Sequence, residues 1–442
     1  MTSRRQLHLN VNALGAGFYA SAWRHAGSDP VAFKDINHYI EIARIAERGT
    51  FDAIFLADVL AVADKAEYRP NVPLEPTVVL AAIAATTSHL GLIATASTSY
   101  NVPYNIARRF LSLDHMSGGR AGWNIVTTAD VASARNFGLD RPDSNADRYA
   151  RAAEFTDVVR KLWDSWDDDA ILADKDSGRL VDAAKVHEVD HKGKYYASAG
   201  PLLLPRSPQG QPVRIQAGAS DIGLSFAARV AEAVFTVAQT VEEAQTYAAR
   251  LRTRAREVGR DGDGIVILPG LAYVLGGTEE EARRRQSELL DLIPEAYSMP
   301  RLAAILQVDV ERLDPDRPLP DDLQPPPTGA SQSFYHATVG LARRENLTVR
   351  ELNRRLAGGA GHRVFVGTPE QFADDIQHWF ETGVADGFNL MPSVLPTGLG
   401  EFVDEVVPLL RQRDIFRKAY EGKTLRSHLG LDIPGYYRDA AE

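Results

Sequence analysis

The sequence predicts an α/β protein, a single (β/α)8 TIM barrel with insertions. Short apolar runs alternate with amphipathic helical patterns, an order that argues for a parallel sheet. The apolar runs start near residues 7, 51, 90, 120, 213, 233, 265 and 387, which makes eight strands. The length of 442 residues suits one elaborated barrel, since such barrels run from about 200 to more than 400 residues.

Composition narrows the function classes. A hydrophobic share of 44% and a charged share of 24% are ordinary for a globular chain with a large core. The net charge of -10 leaves no electrostatic footprint for nucleic acid or an anionic membrane. With no cysteine, disulfides, thiolate metal sites and cysteine nucleophiles are excluded together, and a reducing cytoplasmic location is expected. His8, Asn10 and Asn12 interrupt the apolar residues near the start, and no later run reaches ~18 apolar residues. Neither an export signal nor a membrane span is expected.

Leu7 to Leu14 alternates as a first strand and leads into Gly15-Ala-Gly17-Phe-Tyr-Ala20. That string matches the dinucleotide fingerprint G-x-G-x-x-A, but such a loop must open directly into a helix. Here no helix starts before about Val31, so a loop after the first strand is the plainer reading. Phe33 to Arg48 is amphipathic and ends at Gly49, and Phe51 to Ala57 is a buried strand followed at once by Asp58. That carboxylate is either a cap for the next loop or a ligand contact at a barrel mouth. A helix from Pro76 to Thr87 returns the chain to Leu90.

Leu90 to Thr128 is the most informative stretch. A strand over Leu90 to Ser97 is followed by a helix over Val102 to Met116, with Pro103 in its first turn and Ser117-Gly118-Gly119 ending it. A second strand runs from Arg120 to Val126 and finishes in Thr127-Thr128. Thr95, Ser97, Asn124 and Thr127 thus gather at strand ends, where α/β proteins place ligands. An aperiodic polar segment follows, then a helix from about Asp143 to Trp166 that carries Asn145 and Tyr149 on one face.

Asp167-Asp168-Asp169 reads as solvated surface, and Lys192 to Tyr196 as the turn of an excursion outside the barrel. His187 and His191 have Glu188 and Asp190 between them but read as surface groups, so no metal site is expected. Val213 to Gly218 is a strand that opens through Ala219-Ser220-Asp221 into a helix reaching Val230. Backbone N–H groups, a hydroxyl and the helix dipole make this a ready phosphate site; Ser220 or Asp221 can equally serve as a plain N-cap. Ala233 to Val237, a helix over Val241 to Val258, and Ile265 to Val274 continue the alternation.

From about Thr278 to Gly361 the pattern changes. Leu313 to Thr328 holds six prolines and little to bury, which predicts a mobile loop or lid flanked by helical segments. Alternation resumes with Arg363 to Gly367, a helix over Pro369 to Thr382, a strand over Gly387 to Met391 and a last helix over Leu399 to Arg413. One domain over 1–442 is expected, with insertions at about 128–150, 167–211 and 278–361. His25, His336 and His362 are the candidates for proton handling, from position alone. No G-x-S-x-G elbow signals a serine triad.

Several strings also carry a resemblance: Leu113-Asp-His-Met-Ser-Gly-Gly-Arg-Ala-Gly-Trp-Asn-Ile-Val-Thr-Thr128, Ile215-Gln-Ala-Gly-Ala-Ser220, Val366-Gly-Thr-Pro369, Asp386-Gly-Phe-Asn389 and Thr424-Leu-Arg-Ser-His-Leu-Gly430. Together they resemble the bacterial luciferase-like flavin monooxygenases, in particular the group of nitrilotriacetate, dibenzothiophene sulfone and long-chain alkane monooxygenases. The resemblance covers nearly the whole chain. It implies a two-component system in which a separate NAD(P)H-dependent flavin reductase supplies reduced FMN. The oxygenase then forms a flavin hydroperoxide and inserts one atom of O2 into a small organic substrate. It also implies a homodimer or homotetramer, and places Asp58, Thr95, Ser97, Asn124, Thr127, Asn145, Tyr149 and Ser220 around FMN. In much of the family a histidine stands where this chain has Asn145. An amide hydrogen-bonds but does not exchange a proton near neutral pH. Two other functions fit the same fold: a deazaflavin-dependent hydride transfer, and flavin binding without catalysis.

Overall fold

The computed structural model describes residues 5–62, 66–69, 74–218, 220–326, 331–359 and 361–437. Eight parallel strands close into a barrel: β1 (His8–Asn12), β2 (Ala53–Leu56), β3 (Gly91–Ser97), β4 (Ala121–Val126), β5 (Val213–Gln216), β6 (Ala233–Thr236), β7 (Val266–Leu275) and β8 (Gly387–Pro392). The pairing order is β6-β5-β4-β3-β2-β1-β8-β7, and β7 pairs with β6 to close the ring. All eight expected strands are present, because residues buried on both faces of a parallel sheet leave near-continuous apolar runs.

The two faces have different partners. Leu9, Val11, Ile54, Leu92, Phe388 and Leu390 point outward into the main core with Tyr39 and Ile42 of helix α1 (Ile36–Arg48) and Phe110 of α3 (Pro103–Ser117), which follows α2 (Pro76–Ala84). Ala53, Phe55, Ile93, Val213, Ile215, Ala233, Val266 and Leu268 fill the lower interior. Asn10, Asn12, Thr95, Asn124 and Asn389 alternate with outward residues and are also buried. The remaining outer helices that matter for the site are α4 (Asn145–Trp163), α5 (Asp221–Val230), α6 (Val241–Glu257) and α7 (Pro369–Glu381).

The C-terminal segment seals the lower end. Thr424 caps the turn Leu425–His428, and the wholly buried Leu425 side chain joins the interior cluster. A Cβ on Gly91 would lie 2.5 Å from Leu425, so glycine there leaves the room that Leu425 fills. Arg426 donates to Glu232 at 2.7 Å and to the Gln211 carbonyl at 3.1 Å, while Arg214 reaches the same carboxylate at 3.2 Å. Burial would raise the Glu232 pKa, but Arg214 and Arg426 hold it down at about 2. Asp52 likewise accepts from Arg417, and from His8 Nδ1 at 3.0 Å.

Three expectations need correcting. The proline-rich segment does have apolar anchors. Leu313, Leu319 and Leu323 are buried with Leu302, Leu306, Val349 and Leu352 in a separate core of the insertion. Its carbonyls are also used, since Val349 N–H donates to Arg317 O and Arg350 N–H to Pro315 O, each at 2.8 Å. Leucine spacing with no regular period gave no sign of this; Pro327 and Thr328 lie outside the described residues. The polar segment after Thr128 contains a short helix, Val131–Asn136, capped by Asp130. The final helix is interrupted by a π-helical turn, Phe402–Val406, immediately before Val407 and Pro408, where a missing N–H interrupts the regular ladder.

The G-x-G string is a loop, as read. Gly17 has φ 140°, and a Cβ there would lie 2.4 Å from the Ser393 carbonyl, so the glycine lets this loop cross the end of β8. The excursion after α4 forms two small hairpins, Ile171–Asp174 with Arg179–Val181 and His191–Lys192 with Ala197–Ser198. No helix among the described residues is long and apolar enough to cross a membrane.

Glu232→Gln should destabilise the protein by ~3–5 kcal/mol, because it leaves two buried guanidiniums with no carboxylate. The pH dependence follows from the lowered pKa. The Glu232 contribution is present above its ordinary value of 4.5 and is lost as pH falls toward about 2. Urea unfolding of both proteins between pH 6 and pH 3 should show the gap narrowing as the pH falls, and a constant gap would contradict this account.

Candidate active site

The upper edge of β7 is forked. Val266 to Pro269 pair with β6, but Leu271 to Leu275 on the same edge pair with a ninth parallel strand, Arg363–Gly367. The opposite edge pairs with β8. The insertion of residues 278–361 therefore leaves β7 at the barrel mouth and returns beside it. His362, the residue before the returning strand, lands above β6 with its ring stacked on Phe235, centroids 5.2 Å apart and planes 12° apart. Phe18 meets the same ring edge-on at 5.9 Å. A Cβ on Gly270 would lie 2.3 Å from His362 Nδ1, so the stack requires glycine at the fork.

A cavity of about 270 Å³ opens at this level, over the C-terminal ends of β4, β5 and β6. Thr127, Asn145, Arg148, Tyr149, Ser220 and His362 line it, together with Gln216, Gly218, Phe235 and Thr236. Ser220 is the N-cap of α5, and its Oγ accepts from Gly223 N–H at 3.2 Å. It is therefore an N-cap and a cavity residue at once. The two sequence readings of Ser220 do not exclude each other. A Cβ on Gly223 would lie 2.9 Å from Tyr149 Oη and 3.0 Å from Ser220 Oγ. Two hydroxyls thus converge on the first turn of a helix, in a cradle that any larger residue at 223 would fill. Tyr247 Oη donates to the Gly218 carbonyl at 3.2 Å and braces the preceding turn, while Ala219 lies outside the described residues.

Arg148 organises the opposite wall. It donates to the Thr127 carbonyl at 2.7 Å and to Asn145 Oδ1 at 3.0 Å, which orients both predicted residues. Deeper in the barrel, Asn124 Nδ2 donates to Thr95 Oγ1 at 2.9 Å. Among the described residues, the buried atoms Asn124 Oδ1, Asn10 Oδ1, Asn12 Oδ1, Gln216 Oε1 and both amide atoms of Asn389 have no hydrogen-bond partner. Buried polar groups left unpaired are costly, so this concentration marks a place for a polar ligand. The set suits a flavin mononucleotide: hydroxyls and a helix N-terminus for a phosphate, amides for ring edges and a polyol chain.

Ser97 is buried and accepts from Thr128 Oγ1 at 2.8 Å, and it does not line the cavity. Asp58, at the end of β2, is also apart from that lining. Burial and then repulsion by Glu75 push its pKa up to about 6. Of the three histidines only His362 borders the cavity. His25 is exposed and accepts from Gly27 N–H, and His336 is exposed on an insertion helix. His187 and His191 pair with Asp167 and Glu154, and no group of three or more metal-ligating side chains occurs among the described residues.

Sequence reasoning passed over Arg148, Gln216, Phe235, Asn10, Asn12 and Asn389. A signal existed for the asparagines, since polar residues at every second position of apolar strands point into a barrel whose outer face is covered. No signal existed for Arg148, whose role depends on the approach of α4 to the end of β4.

Burial lowers the His362 pKa to about 4. Its stabilising contribution is therefore present above the ordinary 6.5 and is lost as pH falls through that window toward 4. His362→Gln should differ from the parent by an amount that changes by up to ~3 kcal/mol between pH 7 and pH 4, read from denaturant unfolding. A pH-independent difference would show that His362 is not held neutral.

The model of the luciferase-like monooxygenases matches residues 17–386. The chain is 44% identical over 436 residues to N-acetyl-S-(2-succino)cysteine monooxygenase of Bacillus subtilis (strain 168), spanning 98% of this chain and 99% of that one. It is 43% identical over 447 residues to nitrilotriacetate monooxygenase component A of Aminobacter aminovorans, spanning 98% of each. Among solved structures, riboflavin lyase with modified FMN and riboflavin matches with a TM-score of 0.85 at 33% identity, over 97% of this chain and 96% of that chain. The barrel, the cavity at its mouth and these likenesses lead to one conclusion: the chain is a monooxygenase and belongs to the luciferase-like monooxygenase family.

Proposed function

We propose that this monooxygenase binds FMN in the cavity between α4, α5 and β6 and takes it in reduced form from a separate NAD(P)H-dependent flavin reductase. One atom of O2 then enters a small organic substrate. The observation that carries this reading is the convergence of Ser220, Tyr149 and the first turn of α5 above a barrel interior of unpaired amides. The relative named as a component A supports a two-component arrangement, and the solved riboflavin lyase supports FMN.

Ser220, Tyr149 and the N-terminal amides of α5 would hold the phosphate. Asn124, Thr95 and Thr127 would bond the ribityl chain and ring edge, with Ser97 supporting Thr128 beside them. FMN, if bound there in reduced form, would supply the electrons for O2 activation. Asp58, with its raised pKa, would hold a polar edge of the ring or an ordered water. Asn145 hydrogen-bonds without moving a proton. His362 is neutral at pH 7, so its free Nδ1 accepts or donates a hydrogen bond without bringing a positive charge to the mouth. The insertion over 278–361 would cover the mouth and keep bulk water from the reacting atoms. Val78 on α2, Val102 just before α3 and Met116 on α3 are exposed and favour assembly of copies of this chain through that face.

Ser220→Ala should weaken FMN binding by roughly 10- to 150-fold, the equivalent of ~1.5–3 kcal/mol for a hydrogen bond to a charged group. Unchanged affinity in a flavin-fluorescence titration would remove the phosphate assignment. The purified chain with FMN should also leave NADH and NADPH unoxidised until a flavin reductase is added. Brisk oxidation without a reductase would show that the two-component reading is wrong.

A further inference from the structure

Two arginines meet beside the cavity with no carboxylate of the described residues paired to either. Arg69, in the loop after β2, donates to the Phe18 carbonyl at 3.4 Å. Arg301, on the insertion helix Glu295–Leu306, donates to Tyr297 Oη at 3.0 Å, and its guanidinium lies 5.9 Å from that ring. Tyr297 also lies beside Arg69, whose positive charge it favours. The phenol therefore sits between two guanidiniums on segments far apart in sequence. Burial would raise its pKa, but Arg301 and Arg69 bring it below the ordinary value. Trp23 Nε1 donates to the Tyr68 carbonyl at 2.9 Å and fixes the loop next to Arg69.

Neighbouring arginines behave differently. Arg285, Arg350 and Arg354 of the same insertion each pair with a carboxylate, as do the buried Arg214, Arg417 and Arg426 of the barrel floor. Among the described residues, Arg69 and Arg301 have no such pair. Burial lowers the Arg69 pKa, and the nearby Arg301 charge adds to that lowering. The position links the pair to the site: the Phe18 that accepts from Arg69 also packs edge-on against His362 of the cavity wall.

We propose that Arg69 and Arg301, with the Tyr297 hydroxyl, bind a carboxylate group of the substrate at the mouth of the flavin cavity. The inference rests on the reading of that cavity as the flavin site. Each guanidinium presents a planar fork of donors that matches a carboxylate, and an arriving anion relieves the repulsion between the two cations. The substrates are then carboxylic acids, oriented by that anchor so that another part of the molecule faces the flavin.

The test is equilibrium binding to the full chain of succinate, nitrilotriacetate and N-acetyl-S-(2-succino)cysteine, with the neutral dimethyl succinate as comparison. At least one carboxylate should bind the parent and raise its unfolding temperature, and dimethyl succinate should do neither. Arg69→Met and Arg301→Met should each weaken that binding by roughly 10-fold or more, and Arg301→Lys, which keeps charge but loses the fork, by less. Without ligand, Arg301→Met should unfold at the parent's temperature or above it, because one of two facing cations is gone. FMN affinity should stay unchanged in these variants. The proposal is overturned if no carboxylate binds the parent, or if both methionine variants bind as tightly as the parent. It is equally overturned if Arg301→Met unfolds at a lower temperature, or if FMN affinity falls with carboxylate affinity, which would give the cluster to the cofactor phosphate. Failure of the flavin reading is separate: Ser220→Ala would leave FMN affinity intact while the carboxylate results stand.

Discussion

The shared edge of β7 is the constraint on which the upper half of the molecule depends. A strand of ten residues offers more ladder than β6, with four, can satisfy. Its free upper N–H and C=O groups must find another partner, and Arg363–Gly367 supplies it. Pairing there forces the insertion to begin and end at the mouth. It also sets His362 against Phe235, which Gly270 alone leaves room for. The same geometry brings the insertion helix bearing Arg301 within reach of Arg69. One ladder decision thus assembles a wall of the cavity and its neighbouring cationic cluster.

The two ends of the barrel differ in how they treat carboxylates and amides. At the floor, Asp52 and Glu232 are satisfied by His8, Arg417, Arg214 and Arg426 around a Leu425 plug. At the mouth, the amides of Asn124 and Asn389 have buried atoms without partners. Unpaired amides at the mouth cost stability that the packed floor and the outer helices offset. A chain selected for folding alone has no reason to concentrate such groups at the C-terminal ends of its strands. A chain that binds a polar ligand there does.

Local rules made much of this legible. Apolar runs of strand length, helical spacing, Pro103 and the Ser117-Gly118-Gly119 stop placed the elements, because each reflects backbone sterics and burial acting over a few residues. Thr127, Asn145, Tyr149 and Ser220 were found at strand ends and helix starts, and the structure gathers those four around one cavity. Position in the chain did not separate His362 from His25 and His336, although only the first reaches that cavity. The leucines of the proline-rich segment were missed for a related reason: their partners lie on helices that are not adjacent to the segment's own turns.

By itself the sequence determined the α/β alternation, the eight strands, the position of the insertion and which strand ends carry hydroxyls and amides, all consequences of periodicity and local backbone preference. The tertiary structure alone decided that β7 would share its edge, that the C-terminal Leu425 would plug the floor, and that Arg69 and Arg301 would meet around Tyr297 with no carboxylate partner among the described residues. Each of these joins residues that no local period connects. Their energies arise only when the barrel has closed and removed water from between them, so burial and charge acquire their meaning there.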